Sequence, residues 1–280
     1  DTEQSLHWLK QRVEKICQAN PWLVGRLVRG KDKKLLLSYF ESPTGDDIDA
    51  VVALETTPIR AVSAKTPYGK MTQALIGAKV KVPSGLSLIN KPTRVSKFTL
   101  IPAGNNGNNE HSLVVSISHV VADGHTYHQI LSMLSPNAAI ERLSPVRKLQ
   151  TFLPMTNDAI GQEESSFLTS IGLVINVAMS FLWSRSCGQR TRAVARFVDH
   201  SLVHQAKTDA QNRLGKASDE FVCSTNDIIT SSFGKAVQAD FLIMAINLRN
   251  RMKYLESNDA GNYEAGIPYG PPSFETPEAI

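Results

Sequence analysis

Apolar residues recur at helical spacing from the start of the chain. Leu6, Leu9, Val13 and Ile16 lie on one face, with Lys10, Arg12, Glu14 and Lys15 on others. Asn20-Pro21 ends this first helix, because a residue before proline is pushed out of the helical region. The short apolar stretch Trp22–Val28 follows. Lys31-Asp32-Lys33-Lys34 then reads as a hairpin turn and Leu35–Phe40 as the returning strand. Val51–Leu54 fits either a strand or a helix start. Ser96–Pro102 reads as a strand and Gly104–Asn109 as a polar turn. Ser112–Ser118, rich in β-branched residues, reads as the partner strand. His119 comes directly at its end. After Asp123-Gly124 the spacing changes to helical through Tyr127, Ile130, Leu131 and Leu134, and Pro136 closes the helix.

Residues 140–166 are polar and carry prolines, the composition of a connection. The stretch 167–183 is mostly apolar, with Thr169, Ser170, Asn176 and Ser180 interspersed, and is too short and too polar for a spanning helix. A helix buried or covering a loop is the leading reading. Arg185, Arg190 and Arg192 behind it also permit contact with a membrane surface. A second unit begins near Ala195, with a strand over Phe197–Leu202 and a helix over Val203–Ala210. Ser224-Thr225-Asn226-Asp227 caps an apolar helix through Ile228, Ile229, Phe233 and Val237. Leu242–Leu248 reads as a buried strand with Arg249 at its end. The organisation expected is therefore a first lobe over 1–140, a connecting segment over 141–194 and part of a second lobe over 195–280.

Composition narrows the class. A chain of 280 residues, 42% hydrophobic and 20% charged, is globular and long enough for one large domain or two ordinary ones. The net charge of +4 is mild. It suits a ligand carrying phosphates, but an ordinary solvated surface explains it as well, and no nucleic-acid partner is expected. Three cysteines, none in a Cys-x-x-Cys pair, argue against a disulfide framework or zinc site and for a reducing, cytoplasmic setting.

The candidate chemistry lies in His119-Val120-Val121-Ala122-Asp123-Gly124. Neutral histidine, with an ordinary pKa of about 6.5, accepts a proton at physiological pH. A strand end holds its ring in place. Asp123, on the following turn, can bond the ring or lock the loop through a cation elsewhere. Gly124 supplies a backbone conformation that a Cβ would resist. Chance alone gives about 0.02 occurrences of this spacing in such a chain. A histidine capping a strand beside an ordinary Asp-Gly turn is the bland alternative. His125 and His128 follow on the helix, but their spacing is not His-Glu-x-x-His and no carboxylates accompany them, so no metal is expected.

The pattern His119-x-x-x-Asp123-Gly124 after an apolar strand resembles the signature of the chloramphenicol-acetyltransferase-like superfamily. That group includes plant BAHD acyltransferases and the condensation domains of peptide synthetases. Ser224–Thr230, Ile246–Arg251 with the later Gly261-Asn262-Tyr263, and Asn20–Leu27 are similar to further segments of it. A second histidine, frequent in condensation domains, is replaced here by Ser118, and the Asp-Phe-Gly-Trp-Gly of plant members is absent. The resemblance implies a two-lobed α/β fold of mixed sheets with flanking helices, incomplete at both ends. It implies that His119 acts as general base, taking a proton from a small hydroxyl or amine acceptor that attacks an acyl thioester, with acyl-CoA as co-substrate. It also implies that Asp123 is structural and salt-bridges an arginine, for which Arg249 is the candidate. No permanently bound cofactor is implied, and a monomer is expected. A carrier-protein-dependent condensation domain and a catalytically inactive relative serving as a binding module are the alternatives.

Overall fold

The computed structural model describes the chain except for residues 56–65, 78–79, 103–110, 163–165, 168–169, 187–197 and 215–222. Elements in chain order are α1 (Thr2–Ala19), β1 (Arg26–Arg29), β2 (Leu35–Ser38), α2 (Gly45–Asp49), β3 (Val52–Leu54), α3 (Tyr68–Gly77), α4 (Gly85–Leu88), β4 (Ser96–Pro102), β5 (His111–Ile117) and α5 (Gly124–Met133). There follow α6 (Leu149–Ile160), α7 (Ile171–Ser186), α8 (His200–Leu214), α9 (Thr225–Val237), β6 (Leu242–Asn247) and β7 (Glu264–Tyr269). The chain forms two compact units, neither continuous in sequence. Unit 1 comprises Asp1–Leu149 and Leu248–Tyr263; unit 2 comprises Gln150–Asn247 and Glu264–Ile280.

In unit 1, α1 starts at Asp1, whose carboxylate accepts from the Gln4 N–H at 3.0 Å, and buries Leu9, Val13, Ile16 and Cys17. It stops at Asn20, where Pro21 opens a short 3-10 turn. Asn20 is fully buried and well bonded. Its Nδ2 donates to the Ile16 and Glu141 carbonyls, and its Oδ1 accepts from the Leu143 N–H at 2.8 Å. The turn over residues 31–34 joins β1 to β2 as an antiparallel pair. Val52–Leu54 is a strand, lying parallel to β4, and β4 pairs antiparallel with β5 in the order β3-β4-β5. Register sets Phe98 opposite Val115 and Leu100 opposite Leu113. The Gly104–Asn109 turn lies outside the described residues. The core gathers Trp22, Leu23, Leu27, Val51, Phe98 and Ile130. Arg12 donates to the Met133 and Ala138 carbonyls, which ties α1 to the C-terminal end of α5.

In unit 2, α9 begins with a reciprocal cap. Ser224 Oγ accepts from the Asp227 N–H at 3.2 Å, and Asp227 Oδ2 accepts from the Ser224 N–H at 2.7 Å. β6 and β7 pair antiparallel from Leu242↔Tyr269 to Asn247↔Glu264.

Four expectations are corrected. Residues 149–160, read as part of a connection, are helical; Pro154 removes a ladder bond there without ending the helix. Of the strand expected over Phe197–Leu202, the described part from Val198 onward is not a strand, since the helix already runs from His200. Asp199 accepts from the Ser201 and Leu202 N–H groups, and this local cap outweighs the β-prone composition. The helix over 171–186 is not buried, for Ile171, Val174, Ile175, Met179, Leu182 and Trp183 are exposed. Nor is β6 a buried strand: Ile243 is exposed and its neighbours are half-buried, because β7 is its only partner strand among the described residues.

Candidate active site

His119 lies in unit 1, two residues beyond the end of β5. Ser118 anchors this point to the sheet through its N–H to the Val95 carbonyl, at 2.8 Å. Its own carbonyl accepts from Val121 and Ala122 N–H, closing a single tight turn that carries His119 outward. Ser118 is buried and His119 is exposed. Among the described residues nothing bonds the His119 ring.

Asp123 ends the turn and caps α5. Its Oδ1 accepts from the Thr126 N–H at 2.9 Å. Its Oδ2 accepts from Arg249 Nη1 at 2.8 Å and from the Tyr263 N–H at 3.0 Å. Both side chains of the Asp123–Arg249 pair are wholly buried. Arg249 also donates from Nε to the Asp259 carbonyl at 2.7 Å, and from Nη2 to the Gly261 carbonyl at 3.1 Å and to Thr126 Oγ1 at 3.2 Å. Its guanidinium stands 5.1 Å from the centre of the Tyr263 ring. Burial works against ionisation of Asp123. The bonds from Arg249, Thr126 and Tyr263, together with the guanidinium charge, outweigh it and hold the carboxyl below its ordinary value. Of the two roles open to Asp123 in the sequence, the geometry has it accepting from a cation and from backbone N–H groups.

Gly124 departs from expectation. It is the first helical residue of α5, and among the described residues the glycines with positive φ are Gly161 and Gly261. No left-handed turn at Gly124 is involved. The special backbone lies instead at Gly261, with φ of 153°, where a Cβ would collide with Arg147 Nη1.

The segment Leu248–Tyr263 completes the site. Tyr263 is fully buried, and its hydroxyl accepts from the Lys148 N–H at 2.9 Å and donates to the Val146 carbonyl at 3.2 Å. Lys148 Nζ pairs with the buried Asp259 at 2.8 Å. The backbone of Ser144 runs alongside, donating to the Asn258 carbonyl and accepting from the Ala260 N–H. Sequence reasoning singled out Gly261-Asn262-Tyr263 as a family-like segment without roles. It missed Thr126, Asp259 and Arg147, which carry no local periodic signal.

The other candidate groups sit apart from this chemistry. His125 Nε2 lies 3.0 Å from the Ser257 carbonyl, and His128 packs edge-on to Tyr127. Burial, and then the charge of Asp47, push the Cys17 thiol up to about 12, so it behaves as a small apolar core residue and not as a nucleophile. Cys187 lies outside the described residues. No helix among them is long and apolar enough to cross a membrane.

No family model matches the chain, and no curated protein matches it. Solved structures do. The chain is similar to F. sporotrichioides TRI101 complexed with coenzyme A and T-2, with a TM-score of 0.53 and 15% identity over 99% of this chain. The match takes in 64% of that protein's chain, so the present sequence spans less than two thirds of its length. The first condensation domain of the CDA synthetase is a more distant match, with a TM-score of 0.45 and 12% identity over 94% of this chain and 60% of that one. The two units, their small sheets (of which β3-β4-β5 is mixed) and flanking helices, and the match along nearly the whole chain agree on one architecture: the chain has the two-lobed chloramphenicol-acetyltransferase-like α/β fold.

Proposed function

We propose that this chain transfers an acyl group from a thioester, acyl-CoA in the first instance, to a hydroxyl or amine of a small acceptor. His119 is the general base of this reaction, and Asp123 and Arg249 support the turn that carries it. The observation that carries the reading is an exposed histidine on a turn whose far end is tied down by a wholly buried Asp123–Arg249 pair. Such a turn presents one reactive side chain to an incoming acceptor while its backbone stays in place. The coenzyme A bound by the structurally similar TRI101 supports the choice of donor.

In the proposed step, an unprotonated ring nitrogen of His119 takes the acceptor proton as the acceptor oxygen or nitrogen bonds to the thioester carbonyl carbon. The tetrahedral adduct then collapses, the C–S bond breaks, and the proton passes from His119 to the departing thiolate. A thiol of pKa about 8.5 leaves far more readily than an alkoxide, so no covalent intermediate on the protein is required. Asp123 stays ionised and bonded to Arg249 throughout.

Thiol release from acetyl-CoA and longer acyl-CoAs, with a panel of alcohols and amines, tests the reading. His119→Ala is expected to lower acceptor-dependent release by roughly a hundredfold or more, the usual contribution of a positioned base. Parental rates in that variant would sink the assignment. Release from carrier-bound thioesters alone would replace the donor, and absence of release from every donor would favour a binding module.

A further inference from the structure

The His119 ring, among the described residues, has no hydrogen-bond partner to orient it. Its position is therefore set by the backbone of its turn. That backbone is gripped from outside. The carbonyls of His119, Val120 and Val121 are successive, and each accepts a side-chain N–H from elsewhere in unit 1. Asn262 Nδ2 donates to the His119 carbonyl at 2.8 Å. Arg147 Nη2 donates to both the Val120 and Val121 carbonyls, each at 3.0 Å. The other arm of the same guanidinium, Nη1, donates to the Ala260 carbonyl at 3.2 Å, which bridges the turn to the segment that supplies Asn262.

A planar fork that spans two strands of backbone is something a guanidinium offers and an ammonium does not. The site is shaped for it. Gly261, between Ala260 and Asn262, has no Cβ, and a Cβ at that position would occupy the place of Arg147 Nη1. The Asp123–Arg249 pair pins the far end of the motif, at the start of α5; Arg147 and Asn262 pin the near end, at the histidine itself.

We propose that Arg147 and Asn262 are positioning residues for His119, holding the carbonyls of residues 119–121 so that the ring is presented in one place. The assignment rests on the reading of His119 as the base. Arg147→Met removes the donors and keeps the bulk, Arg147→Lys restores one donor group, and Asn262→Ala acts separately at an exposed position. Each is made in the full chain and checked for folding by circular dichroism. Two readouts are taken: acyl transfer kinetics, and the imidazole cross-peak of His119 in isotope-labelled protein, assigned by its loss in His119→Ala. Arg147→Met is expected to move or broaden that cross-peak. It is also expected to lower kcat by about a hundredfold, the scale of a 1 Å misplacement, with KM changed by no more than about twofold. Arg147→Lys should recover part of kcat, and Asn262→Ala should disturb the same cross-peak. An unmoved His119 signal in folded Arg147→Met and Asn262→Ala would overturn the proposal, as would a change confined to KM or to melting temperature. Should Arg147→Met fail to fold, Asn262→Ala decides by the same signal. If His119→Ala keeps parental activity, the base reading falls, and the cross-peak still decides whether these side chains hold the turn.

Discussion

Asp123 and Arg249 illustrate how one buried pair is made tolerable. Removing two charges from water is costly, and attraction offsets it only when the remaining donors and acceptors are bonded as well. Here the carboxylate accepts from Thr126 and Tyr263 N–H groups, and the guanidinium donates to two carbonyls and to Thr126 Oγ1. Removing one partner leaves the other charged and unpaired. Arg249→Met is therefore expected to lower unfolding free energy by about 3–5 kcal/mol, read from urea denaturation. A loss below about 1 kcal/mol would mean that the pair is not buried as described. Adding Asp123→Leu to Arg249→Met should recover part of the loss, because the orphaned carboxylate is then gone.

At the scale of elements, several helices of this chain begin with local caps. Ser224 and Asp227 bond each other's backbone N–H at the start of α9, and Thr44 and Asp47 do the same for α2. Both caps place an aspartate three residues after a hydroxyl, so one residue pair satisfies two otherwise orphaned donors. Ser224→Ala is expected to cost about 1 kcal/mol in thermal or urea unfolding, and Ser224→Gly only a few tenths. Equal losses in the two variants would remove the cap as the explanation. The same logic accounts for α8, where the Asp199 cap decides in favour of helix over a sequence that also suits a strand.

At the scale of the whole molecule, charge sets the response to acid. Asp123 and Asp47 are both held below their ordinary values, Asp47 through the Thr44 N–H and hydroxyl and the charges of Arg94 and Arg26, against the opposing effect of burial. A carboxyl depressed in the folded state stabilises fully above its unfolded value. That stability is lost as pH falls through the lower folded value. The urea midpoint is thus expected to be insensitive to these groups down to about pH 5 and to drop below about pH 4. Asp47→Asn should flatten that drop, and an identical acid profile in the variant would remove Asp47 from the account. The discontinuity of the units matters here too. Leu248–Tyr263 returns to unit 1 and brings Arg249 to Asp123, so the motif near the middle of the chain cannot be completed without a segment close to its end.

What the sequence determined by itself is the local part. The β4–β5 hairpin, the first helix with its proline stop, the α9 cap and the His119 motif each declare themselves within a dozen residues, because period, capping and turn chemistry act over that range. The likeness of those segments to a known superfamily pointed to the fold. Tertiary structure decided most of what lies around the motif. Arg249, which the resemblance alone offered as the partner of Asp123, reaches it across 126 positions, and Asn262 reaches the His119 carbonyl across 143. Hydrogen bonds of that span leave no periodic trace in a sequence. Arg147 had no signal at all, standing in a segment that reads as a connection, and its role depends on the close approach that Gly261 allows. The exposure of β6 and of the 171–186 helix was equally out of reach, since burial depends on which surfaces the fold brings together and not on hydrophobicity along the chain.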